Sequence, residues 1–214
     1  MRGLVKNNFL AACTNAKVFA VFMILLGLFT AAVISQPLLI GYALIGIVGF
    51  SANAIAVTKK EFTSKWGKYK LTLPVRRVDI VKSLFVNQII GLLIGTLFAG
   101  AGVSLSWLLH GCPFDLYRDM LSLFALGISM SLFTGAIFFP MFYLGGEERS
   151  EVFLAIALLC AFGLDLVITT VINILLDPGI TTALLGAAAL VVSSLVAFVL
   201  SCPLSAAIFK RREF

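Results

Sequence analysis

The chain has 214 residues, of which 61% are hydrophobic and 12% charged, with a mean hydropathy of +1.09. A soluble domain carries about twice that share of charge, and each bilayer crossing uses about 20 apolar residues, so composition excludes an ordinary soluble protein and leaves no length for a sizeable water-facing domain. The formal net charge of +6 does not mark a nucleic-acid surface, because the Lys and Arg residues stand between apolar runs instead of lining one face.

The first segment places Val5, Phe9, Ala12, Cys13 and Ala16 on one helical face and Lys6, Asn7, Thr14 and Lys17 on another. This is the pattern of a short amphipathic helix at the membrane interface. Between Lys17 and Lys59 there is no charged residue. The start of that run resembles a signal-peptide core, but it lacks an A-x-A-like cleavage site and passes through Gln36-Pro37 into a second apolar run, so it is read as retained. Proline restricts its predecessor and has no N–H, which divides the run into spans at 18–35 and 38–57. Further charge-free runs predict spans at 83–109, at 120–144 with Pro140 kinking its end, at 152–176 around Asp165, and at 181–207. The expected fold is therefore all-α: one transmembrane domain of six helices over residues 1–214, with a short amphipathic N-terminal helix and a polar loop at 59–82.

Fifteen of the sixteen Lys and Arg residues fall on one side of this arrangement, leaving Arg118 alone opposite. The positive-inside rule makes that side cytoplasmic, with both termini there, in a multi-pass membrane protein. The outer links, Gln36-Pro37, His110 to Asp119 and Asp177-Pro-Gly179, are all short. Cys13, Cys112, Cys160 and Cys202 have neither ligand-like nor redox spacing and read as packing residues.

The polar loop carries the densest signal. Phe62, Trp66 and Tyr69, spaced four and three apart, share one face of a short helix; Gly67 weakens it, Leu73-Pro74 ends it, and Asp79 caps or opens the next span. Such a loop binds anionic lipid headgroups with aromatic anchors, or it docks a protein partner through aromatic and basic side chains, and composition does not separate the two. The run of Glu61, Ser64-Lys65-Trp66, Lys68-Tyr69, Leu71 to Val75, Arg76-Arg77, Ile80-Val81 and Lys82-Ser83 resembles the segment after the second span in small bacterial ABC-2 type transporter permeases. The nearest resemblance is to permeases of exporters for amphipathic peptides, toxins or bacteriocins.

The resemblance implies a complex of two permeases and two ATPase subunits embedded in membrane lipid, with ATP and Mg held by the partner and no cofactor in this chain. It implies that Glu61, Phe62, Ser64, Lys65, Trp66 and Tyr69 form a coupling helix on the ATPase, and that Leu73, Pro74 and Arg76 fix the return into the third span. Glu147, Glu148 and Arg149 would form a second, smaller contact. The chain has no G-x-x-x-x-G-K-[ST] phosphate loop, and Gly67-Lys68 does not replace one, so nucleotide must bind elsewhere.

Within the spans, Asp165 costs about 3 kcal/mol to insert and should face protein or water. It serves either the translocation path or a helix contact, with Asn173 two turns on and expected on a similar face. Asn87, Gln88 and the Gly91/Gly95 G-x-x-x-G pair read as helix-joining groups. An intramembrane enzyme is disfavoured: His110 is the sole histidine, Glu147-Glu148-Arg149 lacks the histidines of membrane prenyl-protein proteases, and Ser129 and Ser131 have no base. A non-transporting immunity, sensor or scaffold protein is the competing class.

Overall fold

The structure is a computed structural model that describes residues 2–33, 35–63, 77–111, 117–146, 148–175 and 180–211. Among them are six helices: α1 (Arg2–Ala32), α2 (Gln36–Thr63), α3 (Arg77–His110), α4 (Tyr117–Gly145), α5 (Ser150–Leu175) and α6 (Ile180–Arg211). Five contain stretches long and apolar enough to cross a membrane, namely Gln36–Lys59, Val78–Leu109, Asp119–Gly145, Ser150–Leu175 and Thr181–Lys210. A sixth span results only if the two bent pieces of α1 count as one. In α1 the pieces Val5–Thr14 and Ala16–Thr30 meet at 52°.

At that corner the Thr14 hydroxyl lies 2.8 Å from the Leu10 carbonyl and 3.0 Å from that of Ala11. The amphipathic N-terminal piece and the first apolar run are thus one helix with a corner, not two separate elements.

Helix ends extend beyond the charge-free runs. α2 begins at Gln36, with Pro37 in its first turn where a missing N–H costs nothing, and continues to Thr63 past the span end expected at 57. α3 opens at Arg77, six residues earlier than expected, with Asp79 in its first turn. Charge ends a membrane span but not a helix, so apolar runs mark the lipid-facing stretch and leave the protruding turns unmarked.

α4 is the central helix. Its contact with α6 is the most extensive in the bundle, that of α2 with α3 comes next, and α5 packs chiefly on α4 while α1 lies against α2 and α3. The largest core cluster lies towards one end of the bundle, where Phe138, Phe139, Phe142 and Tyr143 of α4 meet Phe85 of α3 and Phe209 of α6. A second cluster, around Leu39, Ile47, Ala99 and Val103, fills the other half. Met23, Tyr42 and Phe50 seat α1 on α2.

The G-x-x-x-G pair shows why α2 and α3 pack so closely. A Cβ on Gly95 would stand 2.6 Å from the Gly46 carbonyl oxygen and 2.9 Å from the Ile47 Cα, and one on Gly91 would stand 2.9 Å from the Phe50 carbonyl oxygen. Backbone therefore lies on backbone, as small residues permit between membrane helices.

Candidate functional site

The end of the bundle that carries Lys59, Lys82 and Lys210, here the basic end, is tied together by polar contacts. Lys59, near the end of α2, places its Nζ 2.6 Å from Oε1 of Glu151 in the first turn of α5. Asn8 of α1 donates from Nδ2 to Ser83 Oγ of α3 at 3.1 Å, both side chains being buried, and Ser83 in turn donates to the Ile80 carbonyl at 2.7 Å. Glu61 and Phe62 lie on the last turn of α2, continuous with the span below them. Ser64, Lys65, Trp66, Tyr69, Leu73, Pro74 and Arg76 lie outside the described residues, as does Glu147. Glu148 and Arg149 form an exposed turn, and Ser150 beside them is buried. The Lys59–Glu151 pair thus brings the α2 end of the polar loop next to the α4–α5 turn.

Inside the bundle, a row of polar side chains joins α2, α3, α4 and α6. Gln88, 1% exposed, donates from Nε2 to the Ser131 carbonyl at 2.9 Å and approaches Ser51 Oγ at 3.4 Å, while the Ser131 hydroxyl donates to Ser51 Oγ at 2.6 Å. The Gln88 amide sits directly over Gly135, where any side chain would occupy the same space. Asn87 donates to the Ala54 carbonyl at 3.2 Å. Ser201 of α6 donates to the Ala136 carbonyl of α4 at 2.7 Å. Each such interhelical bond contributes about 0.6 kcal/mol, so together they fix register more than they supply stability.

Asp165 faces protein. It is 2% exposed, and its Oδ1 accepts from the Ser129 hydroxyl at 2.9 Å; that hydroxyl also lies 3.0 Å from the Leu126 carbonyl. Among the described residues, Asp165 Oδ2 has no hydrogen-bond partner. Asn173 does not join it: it is exposed on the outside of α5. The expected shared face fails because eight residues at about 100° each leave the two positions about 80° apart. No group of three His, Cys, Asp or Glu residues able to hold a metal occurs among the described residues, and Cys13, Cys160 and Cys202 are free thiols.

Ser51, Ser131 and Gly135 were not legible as partners of Gln88, since a hydroxyl or a glycine among apolar residues carries no sign of the helix it will meet. Their only sequence signal is small or hydroxyl-bearing residues at spacings of four, Ser131 and Gly135, on the helix that proves central.

A model of the ABC-2 family transporter proteins matches residues 3–210. The chain belongs to this ABC-2 transporter family. The match takes in all six helices almost end to end, so the ABC-2 assignment rests on the whole bundle and not on the polar loop alone. No curated protein and no solved structure matches the chain. As an ABC-2 permease the chain is a membrane transport component, and membership implies in general an ATP-binding-cassette ATPase as partner.

Proposed function

We propose that the chain is the permease subunit of an ATP-binding-cassette exporter that moves an amphipathic or hydrophobic substrate, such as a peptide, out of the cytoplasm. The chain crosses the bacterial cytoplasmic membrane six times, α1 supplying the first crossing, with both termini on the cytoplasmic side. Two permeases pair with two ATPase subunits, which bind ATP and Mg. The ATPase grips the coupling residues Glu61, Phe62, Ser64, Lys65, Trp66 and Tyr69, and Glu147, Glu148 and Arg149 touch it secondarily.

The observation that carries this reading is the family match over the whole bundle. The packing of α2 on α3 supports the mechanism, because an ATPase drives transport only by moving something stiff. Helices run without a break into the described ends of the loop at Thr63 and Arg77. Below them, glycine contacts and the Gln88–Ser131 bond lock α2, α3 and α4 into one unit. Displacement of the loop is therefore passed to three helices at once.

Co-expression with a candidate ATPase, followed by purification and assay of both ATP hydrolysis and export from vesicles, tests the reading. Trp66→Ala should weaken association by about tenfold or more, as loss of a buried aromatic anchor does, and Glu61→Lys should separate hydrolysis from export while leaving insertion intact. A chain that never retains an ATPase, with both variants indistinguishable from wild type, would end it.

A further inference from the structure

Between α3 and α6 the bundle is open. α6 packs on α4 and α3 packs on α2, while α3 and α6 touch each other sparingly, and the gap between them is a groove of about 530 Å³, the size of a small-molecule site. Its floor is made of Phe85 and Phe198, with ring centroids 4.9 Å apart, backed by Leu132 of α4. The rim residues Ile89, Leu195 and Val199 are exposed, so the groove opens sideways from the bundle, into the acyl chains of a surrounding bilayer. Lys82 is the single charge among the described residues that line it, and it stands at the basic end with Cys202.

The dimensions fit one leaflet. From Lys82 to Leu92 the groove follows α3 for ten residues, about 15 Å of helix rise and half of the roughly 30 Å hydrocarbon layer. We propose that this groove holds one acyl chain of an anionic phospholipid from the leaflet at the basic end, with the headgroup phosphate on the Lys82 ammonium. A second copy of the chain fits less well: a two-fold contact along the membrane normal brings equal depths together, so Lys82 would face its own copy, like charge against like. This site goes beyond the transport reading and fills without an ATPase.

The test uses the full chain in lipid bilayers with Cys13, Cys112 and Cys160 changed to Ser and bimane attached to Cys202. Brominated phosphatidylglycerol and brominated phosphatidylcholine are compared as quenchers at equal mole fraction. Brominated phosphatidylglycerol should quench about fivefold more effectively, the preference that one lysine at headgroup depth supplies. Lys82→Gln should abolish the preference and Lys82→Arg should keep it. A control chain with bimane at Cys160, exposed on α5, should be quenched equally by both lipids. Lipid retained by the unlabelled, detergent-purified chain gives a second readout by mass spectrometry: phosphatidylglycerol should be enriched in the wild type and not in Lys82→Gln. Equal quenching at Cys202 by the two lipids, a preference that survives Lys82→Gln, or protection from both lipids with Cys202 cross-linking between copies would each overturn the proposal.

Discussion

Asp165 and Ser129 meet between α5 and α4 with the carboxylate almost wholly enclosed. The Ser129 hydroxyl has one hydrogen and two acceptors within 3.0 Å, so a group at position 165 able to donate as well as accept completes the arrangement. Asp165→Asn is therefore expected to preserve the α4–α5 contact and thermal stability, whereas Asp165→Leu removes the interhelical bond and leaves the Ser129 hydroxyl on the Leu126 carbonyl alone, at about 1 kcal/mol. Thermal unfolding of the two purified variants measures this; an equal loss in both would mean that the contact depends on charge and not on hydrogen bonding. Export by Asp165→Asn separately asks whether the carboxylate serves the path. At this scale the sequence marked Asp165 as a lone charge in a span, and Asn87 and Gln88 as joining groups. It could not name Ser129 or Ser51 as partners, because hydroxyls are common in membrane helices and only the packed structure selects which ones meet. The Asp165–Asn173 pairing failed on helical phase, a matter of about 80° that a count of turns conceals.

Between elements, α2 and α3 form the tightest unit that glycine makes possible here. Gly95→Leu drives a side chain into the Gly46 carbonyl, whereas Gly100→Leu enters a region with nothing within 4 Å. The first is expected to cost about 1–3 kcal/mol by overpacking and the second close to nothing. Melting temperatures of the two variants in the same detergent check the difference, and equal values would show that α2 and α3 can part without penalty. Five of the six expected membrane-spanning helices were legible because charge-free runs are long and their limits sharp. Helix ends were not: α2 and α3 continue through Lys, Glu and Arg where water, and no longer lipid, surrounds them, and hydropathy is silent about a helix that has left the membrane.

Considered whole, the molecule gathers its polar ends. The Lys59–Glu151 pair and the Asn8–Ser83 bond place the end of α2 and the starts of α1, α3 and α5 together, and Arg118 lies in the first turn of α4 at the opposite end. In a cysteine-free background, a membrane-impermeant maleimide applied to intact cells should label Arg118→Cys and leave Glu148→Cys untouched until the membrane is opened. Labelling of Glu148→Cys from outside would reverse the orientation. The uneven spread of cations made this arrangement readable from the sequence, since loop charge depends only on which residues lie between runs. The corner in α1 was not readable, since between Gly3 and Gly27 no proline or glycine marks it. That corner has a mechanical consequence. The Val5–Thr14 limb is inclined at 52° to the limb below it and pinned to α3 through Asn8. In the proposed topology it would rest on the headgroups like an outrigger, and through that pin it would set the draught at which α3 floats.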